Sequence, residues 1–331
     1  MRTAPLLLLL ALQCQAASPV RDLLKKPGTW FQSDEGLTVT SNVLAWQTNH
    51  GDWPKNRDTT SALSEKDKAS RGTFDNSATT TELRFLAKAY TATKVPETKR
   101  AFLRGLEHIL EAQYDNGGWP QRAPGAKGYD RHITFNDGTI IHLLEFLQAV
   151  ATEDTYAFVS QKQRTLADEV IKRGISCILA CQIVFEGKRT VWCAQHHRDT
   201  LAPVGARSYE LPSFSGGESA GILSFLMKLP SPSPEVSEAI KAGVQWFESS
   251  KIRGIRLEKR DDDRVVVEDK NAPPLWGRFY DLETQRPLFC GRDGVKKASL
   301  AEIEHERRNG YSWYGTWGTR LAKEFEAWQA R

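Results

Sequence analysis

The sequence lacks the motifs of several common enzyme and binding classes. It has no Gly-x-Ser-x-Gly elbow of the α/β-hydrolases and no P-loop for nucleotide phosphates. It also has no EF-hand loop for calcium and no cysteine-histidine spacing typical of zinc sites. Lysine and arginine are scattered, the net charge is only +4, and no DNA-binding or RNA-binding motif is present. We therefore expect no nucleic-acid partner.

Long apolar runs are absent after the first 17 residues, so we expect no contact with a membrane. Residues 1–17 contain a basic residue, an apolar run too short to cross a bilayer, and two small residues, which together are typical of a secretory signal peptide. We therefore expect a secreted protein, periplasmic or extracellular. Residues 18–331 show no shift in composition that would mark a domain boundary, and we interpret them as one domain of a monomer.

Cysteine is scarce, and four cysteines remain after the predicted signal peptide. Cys177 and Cys181 are four residues apart on a predicted helix, which favours two buried thiols over a mutual bridge. A disulfide between Cys193 and Cys290 stays open as an alternative, because an exported protein matures in an oxidising compartment.

Helical periodicity dominates the chain, since apolar residues recur at intervals of three and four in most segments. The predicted helices span residues 77–92, 97–113, 138–151, 161–184, 218–228, 235–249 and 316–329. Residues 252–292 contain consecutive valines and three prolines, which predict short strands and long loops. Residues 18–50 are interpreted as an N-terminal wrap around Trp30 and Trp46. The predicted fold class is therefore mainly α.

A loop followed by a helix recurs three times along the chain. The copies are, in chain order, DWPK at 52–55 with FDN at 74–76, GGWPQ at 117–121 with FNDG at 135–138, and WCAQ at 192–195 with FSGGE at 214–218. Repeats at intervals of roughly 60 to 80 residues predict stacked helical hairpins. We expect these hairpins to form a toroid with the helix-opening loops at one rim, where binding residues concentrate.

Two aspartates accompany these repeats. Asp75 and Asp137 are 62 residues apart, and we interpret them as equivalent positions of successive copies. For either one alone, an aspartate before a helix is often only an N-cap, and that alternative stays open. Two such acids, each beside an asparagine such as Asn136, offer the oxygen ligands that calcium prefers. The sequence therefore predicts calcium at Asp75 and Asp137, with an anionic substrate supplying further ligands.

Four basic residues lie in polar segments rich in aromatic residues, namely Lys55, Arg207, Arg278 and Arg292. Arginine is the preferred residue for bidentate recognition of carboxylates. The alternative for each arginine is a salt bridge to a nearby acid: Glu210 for Arg207, Asp281 or Glu283 for Arg278, and Asp293 for Arg292. Together with the paired aspartates, the basic residues indicate a site for an acidic polymer.

Three tryptophans beside the same motifs, Trp53, Trp119 and Trp276, are candidates for stacking on sugar rings. Packing in the core is the competing interpretation for each of them, since most tryptophans are buried.

The motifs taken together resemble those of the polysaccharide lyase family 10 pectate lyases. The matching segments are DNSATT at 75–80, GGWPQ at 117–121, ITFND at 133–137, ARSYE at 206–210 and RFYDLET at 278–284. The similarity extends from about residue 37 to the C-terminus, so residues 18–331 would form the catalytic lyase domain. The resemblance implies an (α/α)3 toroid with a wide cleft, and the calcium-assisted β-elimination of polygalacturonate (pectate).

The resemblance also implies roles for individual residues. Arg207 would be the catalytic base that removes the C5 proton of a uronate, and Asp137 would act beside it as a calcium ligand together with Asp75. Arg278 and Arg292 would hold the carboxylates of flanking sugars. The residues that we expect to contact the substrate are Arg278, Arg292, Lys55, Asp75, Asn136 and Trp119.

Two positions depart from the pattern of that family. Gly138 stands where a larger polar or acidic residue is expected, and this could loosen calcium binding, while Asp52 stands where glycine is usual. Three alternatives to a pectate lyase stay open: a lyase for another uronate polymer such as alginate, a glycoside hydrolase that uses Asp75 and Asp137 without calcium, and a pectate-binding protein without catalysis.

Overall fold

Helices make up about half of the computed structural model, which describes residues 19–331. The predicted signal peptide lies outside the described residues. The α-helices in this part of the chain are α1 (Pro19–Leu23), α2 (Asp34–Ala45), α3 (Thr80–Thr93), α4 (Pro96–Glu111), α5 (Thr139–Thr152), α6 (Gln161–Cys181), α7 (Gly216–Lys228), α8 (Pro234–Ser249), α9 (His305–Gly310) and α10 (Trp317–Gln329). No helix between residues 19 and 331 is long and apolar enough to cross a membrane.

All seven predicted helices are present, and their ends agree with the prediction to within three residues. The predicted wrap at residues 18–50 contains a helix that the periodicity did not reveal, α2. It begins after Ser33, whose side chain accepts a hydrogen bond from the backbone of Gly36 and so caps the helix. The prediction of a mainly α fold is confirmed.

The strands are short, and most have two residues. They are β1 (Ile133–Thr134), β2 (Val184–Phe185), β3 (Lys188–Arg189), β4 (Gln195–His196), β5 (Pro203–Val204), β6 (Phe214–Ser215), β7 (Ile255–Arg260), β8 (Asp263–Glu268), β9 (Trp276–Gly277), β10 (Phe279–Tyr280), β11 (Phe289–Cys290), β12 (Lys296–Lys297) and β13 (Tyr314–Gly315). Strands β7 to β11 confirm the prediction for residues 252–292. The antiparallel pair β6–β10 matters most for the site, because it brings Ser215 opposite Phe279, next to Arg278.

Consecutive helices pack as hairpins: α3 against α4, α5 against α6, and α7 against α8. The first helices of these pairs also contact one another in chain order, α3 with α5 and α5 with α7. Helix α10 packs against α7 and α8, while α1 and α2 pack against α3. The loops that open α3, α5 and α7 are therefore neighbours, as the repeats predict; closure of the row into a toroid stays a prediction.

A buried tryptophan attaches each of the three helix-opening loops to the helix before it, and a fourth does the same for strand β9. The indole Nε1 donates to a carbonyl oxygen in that helix in four places: Trp53 to Val43 at 2.8 Å, Trp119 to Ile109 at 2.9 Å, Trp192 to Ile178 at 2.7 Å and Trp276 to Phe247 at 2.8 Å. All four rings are fully buried or nearly so. The prediction that Trp119 stacks on a substrate sugar is therefore wrong, and the core interpretation is correct for Trp53 and Trp276 as well.

The four cysteines of residues 19–331 are all buried free thiols. The interpretation of Cys177 and Cys181 as unbridged is confirmed. The alternative of a disulfide between Cys193 and Cys290 is wrong; the Sγ atoms of these two residues lie instead 3.5 Å from the Val204 carbonyl oxygen and 3.6 Å from the Ser208 carbonyl oxygen.

Candidate active site

The loops that open α3 and α5 each contain a short 3-10 turn with a left-handed residue, and the two turns contact one another. The left-handed residues are Asn76, at φ 54° and ψ 33°, and Asp137, at φ 50° and ψ 26°. Asparagine and aspartate tolerate this conformation better than most residues. Because Asn76 matches Asp137, Asp75 matches Asn136. The interpretation of Asp75 and Asp137 as equivalent positions is therefore wrong by one residue.

Neither aspartate caps a helix. The residues before α3 and α5 are Thr79 and Gly138, and neither makes a side-chain cap hydrogen bond. The N-cap alternative for Asp75 and Asp137 is thus excluded.

Asp75 is buried and only partly satisfied. Its carboxylate pairs with the ammonium group of Lys55, and its Oδ2 also accepts a hydrogen bond of 2.8 Å from Gln121 Nε2. Its Oδ1 has no hydrogen-bond partner within residues 19–331. Burial raises the pKa of Asp75 above its ordinary value, Lys55 opposes that rise, and the charge of Asp137 adds to it. The contact between the two turns brings the carboxylates into the same region.

Asp137 is more accessible, with 21% of its side chain exposed. Its Oδ2 accepts a hydrogen bond of 2.8 Å from the amide of Asn136, and its Oδ1 lies 3.3 Å from Arg278 Nη2. The same Arg278 nitrogen lies 3.4 Å from the amide oxygen of Asn136. Asp137, Asn136 and Arg278 therefore form one group at the start of α5.

The side-chain oxygens at this site are of the kind that calcium binds, but they are too few to hold the ion by themselves. Carboxylate and amide oxygens are the ligands that calcium takes, and the buried Oδ1 of Asp75 has no hydrogen-bond partner within residues 19–331. However, residues 19–331 contain no group of three or more histidine, cysteine, aspartate or glutamate side chains arranged to hold a metal. Asp75, Asp137 and Asn136 would thus hold a calcium ion only together with ligands from substrate or water.

Arg278 is held between two acids from different repeats. Its Nη2 donates to Glu218 Oε1 at 2.6 Å, and the other oxygen of Glu218 accepts a hydrogen bond from Ser215. Burial lowers the pKa of Arg278, but the carboxylates of Glu218 and Asp137 outweigh burial, so the pKa lies above its ordinary value. The predicted alternative of a salt bridge to Asp281 or Glu283 is wrong, because the acids come from the second and third repeats instead.

Arg207 forms the predicted salt bridge to Glu210. Its Nε and Nη2 donate to the two carboxylate oxygens at 2.7 and 2.5 Å. Burial lowers the pKa of Arg207, but the hydrogen bonds and charge of Glu210 raise it above its ordinary value. The side chain of Arg207 is still 45% exposed, so a ligand can reach it.

A half-buried tyrosine, Tyr311, links the two arginines. Its hydroxyl donates to Glu210 Oε1 at 2.8 Å, and its ring centroid lies 4.6 Å from the guanidinium carbon of Arg278. Arg207 and Arg278 are therefore parts of one connected group, through Glu210 and Tyr311.

Arg292 is the most exposed of the predicted arginines, with 61% of its side chain accessible. It pairs with both oxygens of Glu306, at 3.1 and 3.0 Å, and not with Asp293 as the salt-bridge alternative proposed. Its guanidinium lies 5.9 Å from the ring centroid of Tyr209, and that of Arg207 lies 5.0 Å from the same ring. Arg207 and Arg292 thus flank one aromatic side chain.

The two unusual positions have structural explanations. Gly138 has φ +73°, and a Cβ added there would lie 2.8 Å from Cε1 of His142, so a larger residue would have to displace the imidazole. Asp52 is buried, accepts a hydrogen bond from Thr48, and fills the space that a side chain at Gly72 would need. Asp52 therefore belongs to the packing of the loop.

Sequence reasoning missed Gln121, Glu210, Glu218 and Tyr311 as members of the site. Three of them lie within quoted motifs, Gln121 in GGWPQ, Glu210 in ARSYE and Glu218 in FSGGE, which was the only available signal. Tyr311 lies outside every motif, and its partner Glu210 is 101 residues away.

The sequence model of the pectic acid lyase family matches residues 47–322, which include all of these residues. The chain belongs to the pectic acid lyase family. Among solved structures, a family 10 polysaccharide lyase from Cellvibrio cellulosa is 33% identical, with a TM-score of 0.82, over 95% of this chain and 98% of that chain. A mutant of a family 10 polysaccharide lyase from Cellvibrio cellulosa, in complex with trigalacturonic acid, is 33% identical, with a TM-score of 0.81, over 93% and 97%.

Among curated proteins, none matches the chain. Membership in the pectic acid lyase family confirms the resemblance seen in the motifs, and it makes this chain a polysaccharide lyase. The two alternatives of a glycoside hydrolase and of a binding protein without catalysis are thereby set aside.

Proposed function

We propose that this pectate lyase is a secreted monomer that cleaves polygalacturonate by calcium-assisted β-elimination, with Arg207 as the base. The observation that carries the proposal is that Asp137, Arg278 and Arg207 form one connected group, while the turn of Asp75 contacts the turn of Asp137. These two carboxylates and two guanidinium groups come from four separate segments. The similar Cellvibrio structure in complex with trigalacturonic acid supports galacturonate over the uronates of alginate as the substrate.

The chemistry requires removal of a proton next to a carboxylate, which leaves a dianionic intermediate. Calcium at Asp75, Asp137 and Asn136 would supply positive charge to the substrate carboxylate, and electrostatic stabilisation of this kind often contributes more to catalysis than any other effect. Arg278, fixed by Glu218 beside Asp137, adds a second cation in the same place. Lys55, paired with Asp75, is a third cation of the site.

In the proposed reaction, neutral Arg207 takes the C5 proton. The C5–H electron pair becomes the C4=C5 double bond, the C4–O4 bond breaks, and O4 receives a proton from solvent. Arginine is almost always protonated near neutral pH because its reference pKa is above ~12. Loss of its proton to solvent hydroxide is therefore the step that should make the rate rise with pH.

The function is tested by following the ultraviolet absorbance of the unsaturated uronide during incubation with polygalacturonate. We expect wild type to form the chromophore and Arg207→Ala to lose at least about 10³-fold in kcat, since a positioned base contributes roughly 10² to 10⁴. Arg253→Ala, at an exposed arginine after α8, is the matched control and should keep wild-type activity. Near wild-type activity of Arg207→Ala would exclude Arg207 as the base.

Secretion and calcium are tested separately. We expect N-terminal sequencing of protein recovered outside the cytoplasm to begin near residue 18. We expect no turnover after calcium is removed with a chelator, and recovery when calcium is added back.

A further inference from the structure

The guanidinium of Arg207 is bound along one edge only. Nε and Nη2 each donate to a different oxygen of Glu210, and the backbone N–H of Arg207 lies 3.2 Å from the same carboxylate. Within residues 19–331, Nη1 makes no hydrogen bond. The two edges of the side chain therefore differ: one is occupied by a carboxylate and the other is available to a ligand.

The carboxylate that holds this edge is itself fixed. Glu210 is buried, and the hydroxyl of the half-buried Tyr311 donates to its Oε1 at 2.8 Å. Burial raises the pKa of Glu210, but its hydrogen bonds and ion pair with Arg207 outweigh burial and hold the pKa below its ordinary value. Glu210 thus stays ionised, and it stabilises the forms of Arg207 that carry a hydrogen on both Nε and Nη2.

We propose that Glu210, held by Tyr311, selects Nη1 as the nitrogen of Arg207 that accepts the substrate proton. The inference rests on the proposed function of Arg207 as base. Glu210 is a positioning residue, since it acts through Arg207 and does not touch the substrate in this proposal.

The proton balance follows from the hydrogen bonds. A guanidinium that loses its proton to hydroxide gives it up from Nη1, because Nη1 has no bond to Glu210. Loss from Nη2 would leave an imine N–H there, which donates to the carboxylate more weakly than the amino N–H that it replaces. The lone pair left on Nη1 takes the C5 proton, which restores the guanidinium. Electrons of the C5–H bond form C4=C5, those of C4–O4 leave with O4, and a water molecule protonates O4.

Glu210 therefore has two opposing effects on catalysis. It orients the base, which raises the rate when Arg207 is neutral. It also stabilises the protonated form of Arg207. The rise of kcat on the alkaline side, here called the limb, therefore moves to higher pH. The other titratable or charged groups around Arg207 are Tyr209, Tyr311, Tyr129 and Arg307.

Two substitutions at Glu210 separate these effects. Glu210→Gln removes the charge but keeps the shape, so the limb of the kcat profile should move about one pH unit toward neutrality. Its maximal rate should fall about tenfold or more, because the edge is no longer fixed. Glu210→Asp keeps the charge and shortens the reach, so it should lower the maximal rate and leave the limb near its wild-type position.

The matched control is Glu97→Gln on the outer helix α4. Glu97 is exposed and pairs with Arg100 at the same spacing of three residues, so its removal should alter neither the limb nor the rate. A Glu210→Gln enzyme that is folded and slower but has the wild-type limb would overturn the inference, because a purely structural role predicts that result.

A second measurement does not depend on activity. NMR of ¹⁵N-arginine-labelled protein should show slower hydrogen exchange at Nε–H of Arg207 than at Nε–H of the exposed Arg253, and Glu210→Gln should abolish that protection. Equal exchange in wild type would contradict the inference by itself. Protection in an enzyme that forms no unsaturated product would instead mean that the proposed function has failed, while the selection of Nη1 as the free nitrogen stands.

Discussion

At the residue scale, the buried acids differ in the partners that their carboxylates have. Asp75 pairs with Lys55 and Gln121, Glu218 pairs with Arg278, and Glu210 pairs with Arg207. Glu82, at the start of α3, is the exception: it is fully buried, accepts a hydrogen bond of 3.2 Å from Thr59, and has one carboxylate oxygen without a partner in the described chain.

Burial raises the pKa of Glu82 from 4.5 to about 7. Because the folded-state pKa is above the unfolded value, the folded protein binds more protons between these limits, and stability falls as pH rises through that window. Glu82→Gln removes this loss. We compare the free energy of unfolding of the mutant minus that of wild type at two pH values. This difference should be roughly 3 kcal/mol larger above pH ~7 than below pH ~4.5.

Urea denaturation of both proteins across that range is the measurement. An offset between mutant and wild type that does not change with pH would contradict the assigned charge state of Glu82.

At the element scale, the left-handed turn before α5 sets the direction of Asp137. Gly138→Ala forces a side chain into φ +73° and against the His142 ring. We expect a loss of about 1–2 kcal/mol in the free energy of unfolding and a higher calcium concentration for half-maximal rate, since the turn carries Asp137.

Gly187 provides the matched control for this turn. It has φ +77° in the β2–β3 hairpin, and a Cβ added there meets nothing within 4 Å. Gly187→Ala therefore introduces the backbone strain without a steric contact. If the two mutants required the same calcium concentration, the contact with His142 would have no bearing on the site.

The tryptophan attachments also act at this scale. Trp119→Phe removes the hydrogen bond to Ile109 and leaves a cavity, so we expect a loss of about 2–4 kcal/mol in the free energy of unfolding. Because the ring is buried, KM for polygalacturonate should not change. Trp328→Phe, at a half-buried site near the end of α10, should cost less than half as much. A raised KM in folded Trp119→Phe would restore the rejected role of Trp119 in substrate binding.

The elements differ in how far the sequence predicts them. Seven helices follow from apolar residues at local spacing, which needs no knowledge of distant partners. Strand β1 exists only because Ile133 pairs with His196, and no local pattern encodes that contact. The error of one residue between the repeats arose from aligning the aspartates; aligning Phe74 with Phe135 matches the two turns correctly.

The site was predictable in part for the same reason. Charged residues inside quoted motifs, such as Asp75, Asp137 and Arg207, could be singled out from the sequence. The Arg207–Glu210 pair, three residues apart, could be predicted as well. The other partners could not, because Arg278 meets Glu218 across 60 residues and Glu210 meets Tyr311 across 101. Burial of Trp119 likewise depends on the packing of whole helices.

At the scale of the whole molecule, each of three successive hairpins contributes one acid to a common region. Asp75 precedes α3, Asp137 precedes α5, and Glu218 lies in the first turn of α7. Arg278, from the strand-rich segment after α8, joins the second and third acids. The repeat of the fold therefore explains how acids from distant parts of the sequence meet around one arginine.

The dependence of the rate on pH and calcium tests the combination of an arginine base with a metal-bound uronate most directly. The measurement is the initial rate of unsaturated product from polygalacturonate across pH, with calcium and with a chelator. We expect a rate that rises on the alkaline side, collapses with the chelator and returns when calcium is restored. A sharp acidic optimum that the chelator leaves unchanged would contradict both the base and the metal.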